Sequence, residues 1–262
     1  MGDDFKLTID PLWFRFGVVS MRYYTALFIA AVVFGYLLWR WQMRRAGHPA
    51  TATCALIFWG IPSLLIGARI AHCLVYQPGY YLDHPFKMLL IWRGGLASHG
   101  ALVALPLVLW GIARHYRLSP IDLMDRLTFS AALGAALVRI GNFFNAEIVG
   151  KETDLPWGVR FLRYDGASKL RHPTQLYEAA VGVAVLVLLI VIDRRTGGER
   201  RPRGLLTGLF LAVYFALRFA VEFTKAHQTL NPDSMFTMGQ LLSILPILVG
   251  VGLIVRAHAL HS

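Results

Sequence analysis

Apolar runs of about 20 residues recur seven times, at approximately 21–41, 53–75, 97–114, 124–145, 175–192, 205–225 and 237–256. A helix needs about 20 such residues to cross roughly 30 Å of hydrocarbon. In lipid every backbone polar group must be satisfied within the protein, so spanning segments are helices or strands of a closed barrel. Barrel strands alternate apolar and polar residues over about ten positions. These runs do not alternate, and the pattern predicts an all-α polytopic membrane protein with seven transmembrane helices. Composition agrees: 56% of residues are hydrophobic and only 16% charged. A soluble domain of this size needs more polar surface, and a disordered chain fewer apolar residues. No internal repeat is visible, which weighs against a transporter built from inverted halves.

The formal net charge is +11. Its cations punctuate the apolar runs instead of forming a stripe beside nucleic-acid-reading motifs, so no nucleic acid is expected as a partner and a bilayer surface is. The connections after the first, third and fifth runs carry Arg40, Arg44 and Arg45, then Arg114, Arg117 and Arg126, then Arg194, Arg195, Arg200, Arg201 and Arg203. The positive-inside rule puts these ends in the cytoplasm, with the amino terminus outside and the carboxyl terminus, near Arg256, inside. The whole chain, 1–262, reads as one integral membrane domain. Residues 146–174 form an external head segment, with turns at Pro156, Gly158 and Gly166 and a strand-like, hairpin-forming stretch from Val159 to Leu162. This head is itself basic (Lys151, Arg160, Arg163, Lys169, Arg171), so its cations need local work to do. Residues 76–96, with Tyr76, Tyr80, Tyr81, Phe86 and Trp92, suit the external membrane interface. Met1 to Arg15 holds Asp3, Asp4, Lys6 and Asp10 and has no apolar core of a cleavable signal, so the first span is expected to direct its own insertion. Cys54 and Cys73 fall on one helix, roughly 28 Å apart at about 1.5 Å per residue, too far for a bridge.

Three arginines, Arg69, Arg139 and Arg218, sit inside spans. A guanidinium keeps its proton, and at bilayer depth it must face the bundle interior, a wet cavity or an anion. Arg139 and Asn142 are three residues apart and share a helix face; Arg218 and Glu222 are four apart and can pair, either as a packing clasp or to orient Arg218 towards a ligand phosphate. Together they predict a cationic pocket whose natural occupant is a phosphate, supplied nearby by phospholipid headgroups. Arg139 can hold such a group bidentately and Asn142 can donate to a further oxygen. Gly141 permits close approach by a neighbour. Glu147 lies five residues beyond Asn142, so either the helix ends near Asn145 or Glu147 does another job, such as holding an arginine.

Other motifs flank these. Gly94-Gly95-Leu96-Ala97-Ser98-His99-Gly100 opens the third run, placing an imidazole, a possible proton acceptor, near the outer interface. Arg171-His172-Pro173-Thr174-Gln175-Leu176-Tyr177-Glu178 leads into the fifth; Thr174 is expected as its N-cap, and the motif reads as loop anchoring or gating. Arg22-Tyr23-Tyr24 opens the first, where tyrosines act as interfacial anchors and one hydroxyl can reach a headgroup. His72 reads as structural. No Gly-x-Ser-x-Gly, His-Glu-x-x-His, Gly-rich phosphate loop or metal-spaced Cys/His cluster occurs, so no metal or cofactor is expected.

These blocks resemble prolipoprotein diacylglyceryl transferases over essentially the whole chain: Arg-Tyr-Tyr at 22–24, Gly-Gly-Leu-Ala-Ser-His-Gly at 94–100, Arg-x-Gly-Asn-Phe-x-Asn-x-Glu-x-x-Gly at 139–150, His-Pro-Thr-Gln-Leu-Tyr-Glu at 172–178, Arg-Phe-x-x-Glu at 218–222 and Thr-Met-Gly-Gln-Leu-Leu-Ser at 237–243. The resemblance implies an enzyme of the bacterial inner membrane with seven spans, a periplasmic amino terminus and a cytoplasmic carboxyl terminus. It implies transfer of the diacylglyceryl group of phosphatidylglycerol to the lipobox cysteine of a prolipoprotein, forming a thioether and releasing glycerol phosphate. By motif match the implied catalytic residues are Tyr24, His99, Arg139 and Arg218. Arg139, Asn142, Glu147, Gly150 and Glu222 are implied to bind substrate. One departure is visible: many members continue the sixth helix with Phe-Arg and an acidic-Pro-Asp turn, whereas this chain reads Phe223-Thr224-Lys225-Ala226-His227-Gln228.

The chemistry is coherent. Sulfur attack on the glycerol C3 carbon expels a phosphate ester, and Arg139 with Asn142 can stabilise the departing charge; one such donor contributes about 3–4 kcal/mol in other enzymes. A thiol of pKa about 8.5 gains from a base or a cationic field. His99 is the first candidate base and arginine electrostatics the competing account; a base contributes roughly 100-fold or more, so His99→Gln separates them. Two rivals stand beside the enzyme: a lipid binder or transporter that breaks no bond, and a scaffold whose arginines only clamp helices.

Overall fold

The computed structural model describes residues 5–16, 19–76, 78–90, 97–226 and 236–259. In chain order come three short strands, β1 (Phe5–Leu7), β2 (Leu12–Phe16) and β3 (Val19–Arg22), and then α1 (Tyr23–Arg45) and α2 (Ala50–Leu74). A short helix α3 (Pro78–Asp83) and a 3-10 turn (Pro85–Leu89) precede α4 (Ser98–Tyr116) and α5 (Pro120–Phe144). β4 (Val159–Phe161), a single turn α6 (Leu162–Asp165) and β5 (Leu170–Arg171) follow, then α7 (Thr174–Arg195), α8 (Leu205–Glu222) and α9 (Met238–Ala259).

Among the described residues six helices, α1, α2, α5, α7, α8 and α9, are long and apolar enough to cross a bilayer. The remaining expected run, 97–114, coincides with α4, part of whose side chains lie outside the described residues. In their most apolar stretches only 17% (α9) to 39% (α5) of residues are buried within the protein. Phe28, Phe34, Val187, Leu245 and Leu248 are among the apolar side chains left facing out. Water does not tolerate so much apolar surface, whereas lipid does. The chain is an all-α polytopic membrane protein.

Two compact units contain these elements, Arg40–Met124 and the remainder of the chain. In the larger, the core is Phe129 and Ala132 of α5, Val185 and Leu189 of α7, and Leu206 and Tyr214 of α8. Small residues set the helix spacing. A Cβ on Gly182 would come within 2.9 Å of the Ala136 backbone, and one on Gly208 within 2.9 Å of the Gly250 carbonyl. Without a hydrophobic drive between helices in lipid, such close backbone approach supplies the packing. The start of α8 is capped by Asp125, a buried carboxylate that accepts from Gly204 N (2.7 Å), Thr207 N (2.8 Å) and Thr207 Oγ1 (2.6 Å). Beside it, in the Arg-rich connection, Arg201 pairs with Asp193 at 2.9 Å and Arg126 with Glu199 at 2.6 Å.

The segment 146–174 folds as expected into turns and a hairpin, β4 antiparallel to β5, but with an addition: β1 pairs parallel to β4, Phe5 opposite Val159. The three strands cover a small core of Leu7, Phe143, Ala146, Val149, Val159 and Phe161, where Phe143 meets Phe161 edge-on at 5.8 Å. Its cations have local work. Arg160 donates to the Ser168 carbonyl (2.9 Å), Arg171 pairs with Asp165 (2.8 Å) and lies over Tyr164, and Lys169 pairs with Glu152.

In the smaller unit α2 and α4 touch at Gly67 and Gly100, where neither position has room for a Cβ, and Ala97 N donates to the Ala68 carbonyl at 2.9 Å. Arg69 has a local task. Its guanidinium donates to the carbonyls of Lys87 (2.8 Å) and Met88 (3.0 Å) and lies over Tyr81, so it clamps the 3-10 turn. Of the stretch 76–96, expected at the membrane interface, residues 77 and 91–96, Trp92 with them, lie outside the described residues; Leu82, Phe86 and Leu89 are exposed. Among the described residues Cys54 and Cys73 form no disulfide.

Candidate active site

α5 ends at Phe144, which settles the position of Glu147. Glu147 N donates to the Asn142 carbonyl at 3.0 Å, and Ala146 and Ile148 on either side adopt φ +54°, a left-handed conformation uncommon for residues with a Cβ. This double reversal folds the Glu147 carboxylate back over the helix end. There Asn142 Nδ2 donates to Oε2 at 2.9 Å and Asn145 Nδ2 to Oε1 at 3.2 Å. Arg139 Nη1 reaches Asn142 Oδ1 at 3.4 Å, so one amide links the guanidinium to Glu147. Glu147 therefore does not hold an arginine directly.

The loop after Glu147 is stitched to the start of α7 and the end of α8. Gln175 Nε2 donates to the Glu147 carbonyl (2.6 Å), Gly150 N to the His172 carbonyl (3.1 Å) and Lys151 N to the Thr224 carbonyl (2.8 Å). Thr174 is not the N-cap expected of it. Pro173 occupies that place, and the Thr174 hydroxyl, one residue inside the helix, donates instead to the Ile148 carbonyl at 2.8 Å. Gly150 is needed for this proximity: a Cβ there would lie 2.5 Å from His172. Trp157 Nε1 donates to the Tyr177 hydroxyl at 2.8 Å, anchoring the 146–174 segment to the first turn of α7.

The centre of the site is Glu178, a residue the sequence reading assigned to loop anchoring or gating. It is 1% exposed and meets three cations. Arg139 Nε stands 2.9 Å from Oε2, a close contact too far off axis to count as a hydrogen bond. Arg218 Nη1 donates to Oε1 at 3.1 Å, and Lys225 Nζ to the same oxygen at 3.0 Å. The Arg218–Glu222 pair that helical spacing permits is not formed. Glu222 Oε2 accepts from Lys225 at 2.8 Å, because Lys225, three residues on, reaches back over the helix end while Arg218 turns to Glu178 on α7. Gly239 of α9 abuts the Glu222 carboxylate: a Cβ there would lie 2.4 Å from Cδ, so a larger residue would push this side chain from its place. The motif at 237–243 supplies a reciprocal cap at this spot: Thr237 N donates to Gln240 Oε1 (3.0 Å) and Gln240 N to Thr237 Oγ1 (3.2 Å).

Tyr24 packs against Gly141, whose missing Cβ leaves 2.9 Å to the ring, and lies within electrostatic reach of Glu147 and Arg139. His99 begins α4, but its side chain lies outside the described residues, as does the 227–235 stretch. So the structure gathers Tyr24, Arg139, Asn142, Glu147, Gly150, Arg218 and Glu222 around one locus and adds Glu178 and Lys225. The side chains of Arg139 and Arg218 keep 14% and 24% of their surface exposed. Arg139 Nη2 has no hydrogen-bond partner among the described residues. The two guanidiniums are thus neither splayed into solvent nor sealed. They share one carboxylate and retain donors for an incoming anion. Among the described residues no group of His, Cys, Asp or Glu is placed to hold a metal ion.

Comparison with known proteins is direct. The family described as prolipoprotein diacylglyceryl transferase matches residues 11–256. A phosphatidylglycerol–prolipoprotein diacylglyceryl transferase of Tolumonas auensis is 40% identical over 92% of this chain and 93% of its own length. Proteins of the same name from Cupriavidus pinatubonensis (34% identical, 95% of this chain and 91% of the relative) and Bacteroides fragilis (35% identical, 92% and 91%) agree. With the blocks at 22–24, 139–150, 172–178, 218–222 and 237–243 converging on one charge cluster, and with matches that run nearly end to end, the chain belongs to the prolipoprotein diacylglyceryl transferase family.

Proposed function

We propose that the chain is an enzyme that transfers the diacylglyceryl group of phosphatidylglycerol to the lipobox cysteine thiol of prolipoproteins. The names of its relatives state this donor and this acceptor. The observation that carries the reading for this chain is Arg139 and Arg218 meeting on the single buried carboxylate of Glu178, with donors left over. Two guanidiniums that share one carboxylate keep N–H donors to spare, which suits a phosphodiester headgroup and its leaving group.

In the reaction the sulfur attacks C3 of the lipid glycerol. The C3–oxygen bond to phosphate breaks, a carbon–sulfur bond forms, and glycerol phosphate departs with the bond's electrons. The thiol proton passes to a base, for which His99 is the first candidate, or is shed under the field of the arginines. Arg139 and Arg218 stabilise the leaving oxygen. Asn142 and Glu147 fix the Arg139 rotamer through the amide link, and the Tyr24 hydroxyl faces the same locus. Gly150 and Glu222 shape it.

The chain is read as one integral domain, 1–262, of the bacterial inner membrane with seven spans, α4 being the seventh. Residues 146–174 form the periplasmic head and 76–96 an interfacial segment. The amino terminus is periplasmic and the carboxyl terminus cytoplasmic. Arginines at the ends of α1, α4 and α7 support that orientation. The local ion pairs of the head account for basic residues on the outer side. Purified protein incubated with phosphatidylglycerol and a lipobox peptide should yield thioether-modified peptide and glycerol phosphate. Lipid bound or moved but never cleaved would favour a binder or transporter instead.

A further inference from the structure

Lys225 falls in the 223–228 stretch and is only 5% exposed. It lies just beyond α8, at the backbone bridge to Gly150, between the Lys151 N–Thr224 O bond (2.8 Å) and the Ala226 N–Val149 O bond (3.3 Å). Its ammonium touches both Glu178 Oε1 (3.0 Å) and Glu222 Oε2 (2.8 Å). Arg139, Arg218 and Lys225 face Glu178 and Glu222, with Glu147 the third carboxylate of the region, linked to Arg139 through Asn142. Three cations thus balance three carboxylates. Without the lysine the empty site would be net negative, a poor host for an anion.

Spacing sharpens the point. Glu222 is one turn from Arg218 and could pair with it. Lys225 holds that carboxylate instead, and Gly239 leaves room for it in this position. We propose that Lys225 is a positioning residue: it occupies Glu222 and half of Glu178 so that Arg218 and Arg139 stay available to the phosphate of the lipid donor. This rests on the transferase reading above. It makes Lys225 act on lipid binding more than on the bond-breaking step, and by charge, not by shape.

The test uses full-length protein in detergent, with transfer measured against phosphatidylglycerol concentration. Lys225→Met should raise KM for the lipid about tenfold or more, the scale expected when one partner of a buried charge pair is removed, with a smaller change in kcat. Lys225→Arg should stay within about threefold of wild type. Adding Glu222→Gln to Lys225→Met removes the carboxylate freed to capture Arg218, and should lower KM again. Thermal unfolding and size exclusion check that each variant folds; if Lys225→Met does not, Lys225→Gln takes its place. A KM unchanged in Lys225→Met, equal impairment by methionine and arginine, or a double variant no better than the single one overturns the proposal. A wild-type protein with no transfer activity would instead sink the transferase reading, so the two failures are distinct.

Discussion

Glu178→Gln is the perturbation that asks most of the site. The carboxylate is 1% exposed and meets Arg139 Nε at 2.9 Å, Lys225 Nζ at 3.0 Å and Arg218 Nη1 at 3.1 Å. At about 3 Å and an effective dielectric near 20, each contact is worth roughly 5 kcal/mol gross, most of it offset by desolvation of the ions. What survives is the cost of stranding buried cations, about 3–5 kcal/mol when one partner is removed. Solvent at Arg218, whose side chain is 24% exposed, pulls the figure to the lower end. The amide of glutamine is neutral and turns one donor face towards cations, so it replaces neither the charge nor the full acceptor set. With 1.4 kcal/mol per tenfold, transfer efficiency should fall about a hundredfold. The assay is thioether formation on a lipobox peptide with phosphatidylglycerol, alongside thermal unfolding of the same preparation. Efficiency within about threefold of wild type in a folded variant would refute the reasoning, because Glu178 would then be anchoring helices and not organising the arginines.

Two further outcomes follow from the same geometry. Arg139→Ala and Asn142→Ala should each abolish detectable transfer while the protein still inserts and purifies as a folded species; normal turnover of either variant counts against the assigned pocket. Asp125→Ala should lower stability by about 3 kcal/mol, since it uncaps Gly204 and Thr207 at the start of α8, and this should appear as a fall in the detergent melting temperature. Its transfer rate at low temperature should hold, as Asp125 contacts none of the site residues.

The helices were legible because lipid imposes length and polarity on every span, and six of them stand among the described residues. Arg139 with Asn142 was legible because three residues on a helix place two side chains together whatever surrounds them. Glu178 was not, because its partners come from α5 and α8, 39 and 40 positions away, and no local spacing signals them. The Arg218–Glu222 pair failed for the complementary reason: helical spacing permits a contact, but the choice went to Glu178 and Lys225, which tertiary packing brought closer. Lys225 looked like a departure from the family pattern; its burial against two carboxylates gives it a role. β1 was missed because three residues are too few to show a strand's alternation, and its partner β4 lies more than 150 positions on. Thr174 misled because a threonine before a helix reads as a cap until a nearer carbonyl claims its hydroxyl.

The account turns on where the lipid's phosphate goes, and a cryo-electron microscopy structure of the protein with phosphatidylglycerol tests it most directly. The phosphate should lie about 3 Å from guanidinium nitrogens of both Arg139 and Arg218, with Lys225 still on Glu222. A headgroup resolved elsewhere, with both arginines closed on Glu178, would contradict it.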